Sequence, residues 1–261
     1  LTNIAVFGDS FAARMHSEDS KLVKGFIQDL YKLCGRKYSE KEVTKLRKSL
    51  ANKYTTWIDV IGADTYAYSG SDLYYSYNQF LKHHSKYDKC IFVITSPIRF
   101  STNIDGWLHC ASIDDAKEGV DFATDDKTKK IYTTLVDFFN TVYYKDLDRI
   151  ELINQAMLDS IKQKRPDVVF IKAFNDLKQV FDLELKAWNM TFDESQDYTK
   201  YIDLRHCHMT NKNNEILGNY ILDNITNLDK IDISTIEWHI PTVQEKEYHL
   251  VNTQDLFTWL L

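Results

Sequence analysis

Gly8-Asp9-Ser10 closes a short apolar run and leaves a serine at a turn that glycine permits, which is how a chain can present a nucleophile. A serine hydroxyl attacks a carbonyl only when a base takes its proton. His206-Cys207-His208-Met209-Thr210 supplies two imidazoles near the C-terminal end, and Asp203 lies just upstream to orient one of them. Read as Asp-x-x-His, Asp203 to His206 fits; His208 is the other candidate, with Asp203 reaching it from further away. The alternation His206-Cys207-His208 also puts two metal-ligating side chains on one face of an extended segment. A structural zinc site needs four ligands, and neither His83-His84 nor His109-Cys110 stands at a spacing that completes one. The expectation is a serine site with no metal and no cofactor.

Such residues need elements to bring them together. Asn3 to Phe7, Thr65 to Tyr68, Lys89 to Thr95 and Asp167 to Ala173 are short apolar or β-branched runs bounded by turn residues, with helical patterns between them. That alternation predicts βαβ units and a parallel sheet, a three-layer α/β/α sandwich. Helices are expected from Ser39 toward Leu50, opened by a Ser39/Glu42 capping box, over Thr55 to Ile61, and over Ser71 to His84 with Ser71 or Asp72 as cap. Residues 101–125 lack periodicity and read as a long loop anchored by Trp107. Residues 124–165 read as a helical insertion with a break near Lys145-Asp146, ended by Pro166, and 211–227 as an amphipathic helix. Residues 228–261 form a C-terminal extension to a single domain spanning 1–261. In open α/β sheets functional residues gather beyond the carboxyl ends of the strands, the edge where Ser10, Gly70, Thr95 to Arg99 and Asp203 to His208 all fall.

The order of these blocks resembles the SGNH (GDSL-type) hydrolase superfamily, over roughly residues 3 to 227, and is similar to divergent SGNH-like proteins of bacterial viruses. The resemblance implies a flavodoxin-like α/β/α fold and an ester or acyl substrate, with removal of O-acetyl groups from carbohydrate as the preferred case. It implies Ser10 as nucleophile, and Tyr66-Ala67-Tyr68-Ser69-Gly70-Ser71 as the block whose Gly70 amide joins that of Ser10 in an oxyanion hole. It favours His208, followed by Met209-Thr210 and Asn214, as the base, with Asp203 behind it and His206 left to substrate binding. The third block departs from the pattern. After Ile91-Phe92-Val93-Ile94, where the family carries Gly-x-Asn-Asp, the chain reads Thr95-Ser96-Pro97-Ile98-Arg99. Thr95 or Ser96 could replace the missing oxyanion donor, and Arg99 could meet an acidic substrate group or form a structural ion pair. Asp9 is expected to orient the turn and border the substrate. That departure keeps two rivals in view, a non-catalytic SGNH-like binding or virion-associated protein, and an acyltransferase using the same serine.

Composition bounds the partners. The net charge is −6, with Lys and Arg spread along the chain, which disfavours nucleic acid. The longest apolar runs are strand-sized, which argues against a membrane partner. No signal peptide is visible, so a cytoplasmic or virion-associated location is expected, and a homo-oligomer is open. The four cysteines lack paired spacing and read as free thiols. Sixteen Tyr, 14 Phe and 5 Trp cluster at Tyr66 to Tyr77 and Phe138 to Tyr144. Such stripes can line a sugar-binding groove, but filling the core is the expected use.

Overall fold

The computed structural model describes residues 2–14, 55–68, 70–96, 99–104, 107–111, 113–123, 125–172, 183–184, 211–230, 235–237 and 239. Five strands form one sheet: β1 (Ile4–Gly8), β2 (Asp64–Ala67), β3 (Lys89–Ile94), β6 (Val169–Lys172) and β7 (Leu183–Glu184), in the order β2-β1-β3-β6-β7. Every pairing is parallel. With a separate hairpin between β3 and β6 set aside, the order reads 2-1-3-4-5, consistent with a flavodoxin-like doubly wound topology.

Strand alternation sorts the core into two layers. Ile4, Val6, Ile91, Val93, Val169 and Ile171 face one side and pack on helices α1 (Trp57–Ile61) and α6 (Asn211–Asp223). Ala5, Phe7, Cys90, Phe92, Ile94 and Phe170 face the other and pack on α2 (Leu73–His83) and α5 (Leu147–Lys164). Phe7, Phe80 and Phe92 are fully buried, each contributing about 1.5–3 kcal/mol of burial. A three-layer α/β arrangement follows from the apolar runs on both faces of a parallel sheet.

Residues 101–125 are not a loop. They hold most of an antiparallel hairpin, β4 (Phe100–Ile104) with β5 (Trp107–Ala111), and helix α3 (Ile113–Phe122). Ile104 pairs with Trp107, so only Asp105-Gly106 joins the strands. Asp-Gly is a strong two-residue hairpin signal, but the polar strand residues Ser101, Thr102 and Asn103 hide it. α4 (Asp126–Thr141) follows, capped by Asp125, and its break from α5 is a 3-10 turn at Tyr143–Asp146. α3, α4 and this turn build a satellite core from Ala116, Leu135 and Phe139, with Phe100, Tyr143 and Tyr144 against it. α5 instead returns to the sheet through Met157, Leu158 and Ile161. The rings of Phe138 to Tyr144 pack on one another and on Phe100, so packing is their use. The expected helix from Ser39 to Leu50 lies outside the described residues. Among those described, no helix is long and apolar enough to cross a membrane.

The amino-terminal side of the sheet is closed by Arg165, which donates to the carbonyls of His84, Tyr87 and Asp88 and pairs with Asp167 at 2.9 Å. His84 stacks on Phe80, and its Nδ1 is buried without a hydrogen-bond partner. Burial first, then the charges of Arg165 and Lys164, hold the His84 pKa below its ordinary value; burial, Lys86 and Lys82 do the same for His83. A histidine depressed in the folded state leaves stability intact above the unfolded pKa of about 6.5, and removes it as pH falls toward the folded pKa. The urea midpoint should therefore fall on acidification below about pH 6.5, well above the unfolded carboxylate value of about 4; the hydrogen bond from Arg165 holds the Asp167 carboxyl below its ordinary value, so its contribution is lost only on further acidification. In the His83→Gln/His84→Gln double variant that fall should be much smaller; an unchanged pH slope would exclude these two rings as its source.

Candidate active site

β1 ends at the switch point of the sheet, between β2 on one side and β3 on the other, the place where open α/β sheets carry their sites. Gly8 is required there. Its φ is +153°, and a Cβ would come within 2.9 Å of Ala12 Cβ, Val93 Cβ and the Val93 carbonyl. The chain then turns through a 3-10 helix, Ser10–Ala12, closed by the Ala12 amide donating to the Asp9 carbonyl at 3.0 Å. Ser10 opens this turn.

Asp9 is wholly buried. Its Oδ1 accepts from the Phe11 amide at 3.0 Å, and its Oδ2 accepts from Thr95 Oγ1 at 3.0 Å and from Arg99 Nη1 at 2.6 Å. Arg99 Nη1 also reaches Thr95 Oγ1, at 3.2 Å. A buried carboxylate without partners is very costly. The residues after β3 supply those partners, because β3 is the neighbour of β1 and both strands end at the same edge. The polar groups of Thr95 and Arg99 are thus directed at Asp9. Ser96 is buried beside them, its carbonyl accepting from the Arg99 amide at 3.3 Å.

The glycine block lies across the same edge. Ser71 N donates to the Tyr68 carbonyl at 3.0 Å, closing a turn in which Gly70 takes φ +74°, a left-handed value suited to glycine. Tyr68 N and Ser71 Oγ both donate to the Gly8 carbonyl at 3.3 Å, which ties this turn to the one that Ser10 opens. Asp72, not Ser71, caps α2, accepting from Tyr75 N at 2.8 Å. It also exchanges hydrogen bonds with Ser101 on β4: Ser101 N to Asp72 Oδ2 at 2.8 Å and Asp72 N to Ser101 Oγ at 3.1 Å.

His206, His208 and Asp203 lie outside the described residues, whereas α6, the helix after them, is within those described. Asn214, in the first turn of α6, is wholly buried and accepts from the Trp57 amide at 3.0 Å, while Trp57 Nε1 donates to the Phe11 carbonyl at 2.9 Å. Neighbouring Asn213 pairs with the His239 backbone through both its amide atoms, at 3.0 and 2.8 Å. α6 is thereby fastened through Trp57 to the turn that Ser10 opens. Sequence reasoning picks out Asn214 by its place after the histidines but does not foresee its link to Trp57. It leaves Arg99 open between substrate and a structural ion pair, and does not connect it to Asp9. An acid just after the glycine of β1 and a basic residue just after β3 are the available signal for that pair. Among the described residues no group of three His, Cys, Asp or Glu could hold a metal ion.

No family model matches this chain, and no curated protein matches it. Among solved structures, the chain is similar to a crystal structure titled as an acetyl xylan esterase, AlAXEase, at 12% identity, with 97% of this chain and 98% of that chain covered and a TM-score of 0.29.

Removing the Arg99 charge strands a buried carboxylate. Arg99→Met is expected to lower stability by about 3–5 kcal/mol in urea unfolding. Adding Asp9→Asn should recover part of that loss, since the double variant no longer buries a lone charge. A strictly additive double-mutant cycle would show that the two side chains do not interact.

Proposed function

We propose that this chain is a serine hydrolase of the SGNH type acting on an ester or acyl group, with Ser10 as nucleophile, His208 as base and Asp203 behind it. The observation that supports it most is the Gly8-Asp9-Ser10 turn at the sheet's switch point, braced at Asp9 by Thr95 and Arg99 and at the Gly8 carbonyl by the Gly70 turn. A nucleophile is effective when its approach geometry is fixed before substrate arrives. Two residues, Met209 and Thr210, separate His208 from Asn211, three Cα steps with a reach of at most ~11 Å. A base drawn from that segment therefore starts beside a helix already fastened to the Ser10 turn. The Ser10 and Gly70 amides serve as oxyanion donors, while Thr95 and Arg99 act on Asp9 and not on the substrate.

A carbohydrate O-acetyl ester is the preferred substrate class. Tyr68 and Tyr75 support it: both rings are half-buried, 5.8 Å apart, on the strand end and helix start that flank the Gly70 turn, where an aromatic wall can stack on a sugar face. The rival reading, a non-catalytic SGNH-like binding or virion-associated protein, draws support from one observation. The polar groups of Thr95 and Arg99 are turned to Asp9, where the family pattern has an oxyanion donor.

A fluorophosphonate probe should label Ser10 in the wild-type chain, and Ser10→Ala should lose both the label and hydrolysis of a short-chain aryl ester while its Tm is unchanged. His208→Ala should lower kcat by about a thousandfold or more, and His206→Ala far less. Absence of labelling establishes the binding-protein reading; the reverse order of the two histidine variants makes His206 the base. Acetyl transfer to a sugar acceptor in preference to water would identify an acyltransferase.

A further inference from the structure

The strand-and-helix unit beside the sheet, made of β4, β5, α3 and α4, reaches the nucleophile turn through one short segment, Arg99 to Ser101. Tyr143, in the 3-10 turn that ends α4, donates its hydroxyl to the Arg99 carbonyl at 3.0 Å. The Phe100 ring packs on Phe138 at 5.2 Å and on Tyr143 at 5.8 Å. Ser101 is held by Asp72 at the start of α2. The backbone from the Arg99 carbonyl to Ser101 is therefore fixed by other elements, while the Arg99 side chain makes the 2.6 Å contact with Asp9.

We infer that Tyr143 is a positioning residue for Ser10: its hydroxyl sets the Arg99 backbone, Arg99 sets Asp9, and Asp9 sets the turn, so that the α3–α4 unit controls the geometry of the proposed nucleophile. Each link is a single directed contact: Tyr143 Oη to Arg99 O, Arg99 Nη1 to Asp9 Oδ2, and Phe11 N to Asp9 Oδ1. The first link holds across the whole pH range an esterase uses. Burial, then the Asp72 charge, then Tyr144 push the Tyr143 phenol well above its ordinary value, so it remains a donor. The Tyr143 ring also has aromatic neighbours at 5.4 to 5.9 Å, Phe138, Phe139 and Tyr144 among them, and these hold the ring in place when the hydroxyl is removed. Movement at Arg99 is felt at Ser10 because Arg99 holds Asp9 and Asp9 is the residue before Ser10, in a turn that packs closely on Val93 at Gly8.

The role of Ser10 in this inference rests on the proposed hydrolase reading; the control of the turn does not. The test is Tyr143→Phe, read in two independent ways. By native-state hydrogen exchange, the Phe11 and Ala12 amides should exchange about threefold to tenfold faster, the size of one lost hydrogen bond, with the β3 amides of Phe92 and Val93 unchanged. In aryl ester hydrolysis, kcat should fall by a similar factor while KM stays within about twofold, the sign of a displaced reacting group and not of lost substrate binding. Thr133→Ala removes another α4 hydroxyl, one that only donates to the Lys129 carbonyl on an exposed face, and should change neither readout. Unchanged exchange at Phe11 and Ala12, or equal acceleration at Phe92 and Val93, overturns the inference, because Tyr143 then does no more than hold the fold. If the wild-type chain neither labels nor turns over, the hydrolase reading fails, and the exchange result alone decides whether Tyr143 controls the turn.

Discussion

A carboxylate with no access to water sits one residue before Ser10, and the site is organised by the need to satisfy it. Asp9 receives a backbone amide, a hydroxyl and a guanidinium, from three separate points of the chain. The cost of burying such a charge unpaired is several kcal/mol even after relaxation, enough to consume much of a domain's net stability. That cost makes the pairing obligatory and gives it directional consequences. Thr95 must leave β3 facing β1, Arg99 must fold back toward the sheet edge, and Gly8 must carry no side chain, because Ala12 and Val93 occupy the space. The turn at Ser10 is shaped by these demands before any substrate is considered.

The same logic links the layers. Alternation along β1 and β3 sends one set of side chains to α1 and α6 and the other to α2 and α5, so each layer has a route to the site. On one side the route is Asn214 to Trp57 to Phe11, and on the other it is Asp72 to Ser101 beside Arg99. Hydrogen bonds of this kind contribute modestly one by one. Their placement at a common edge is what matters, since a turn held from both layers cannot relax toward either.

Much of this architecture is legible in the sequence, for identifiable reasons. The strands at Ile4, Lys89 and Val169 are apolar on both faces, a pattern only a buried parallel strand produces, and each begins within two residues of where its apolar run does. The Asp72 cap and the break at Lys145-Asp146 are equally legible, because caps and breaks are encoded locally. The hairpin at Phe100–Ala111 is not. Its first strand is polar and the satellite core beside it is assembled from residues near 116, 135 and 139, so the Asp105-Gly106 signal stands without the apolar alternation that would support it. The Asp9 to Arg99 pairing is hidden for the same reason: ninety residues separate the partners, and only strand order makes them neighbours. A search for chemistry assigns Arg99 outward to a substrate as readily as inward to an ion pair, because a cation near a nucleophile suits either role.

The pairing of Asp9 with Arg99 has a physical consequence for the acyl chemistry proposed at Ser10. A negative charge beside a developing oxyanion raises the energy of the transition state, most strongly in a site from which water is excluded. Where two backbone amides are the donors, an uncompensated Asp9 carboxylate would oppose them from within the same turn. Arg99 places a positive charge 2.6 Å from that carboxylate, so the pair presents a dipole in place of a net charge. An asparagine in the third block contributes one donor of about 3 kcal/mol directly to the oxyanion; an arginine behind the turn acts earlier in the same sum, by removing the repulsion that the donors would have to overcome. Thr95 and Arg99, with the Phe11 amide, thus satisfy Asp9 in a way that keeps the Gly8-Asp9-Ser10 turn intact.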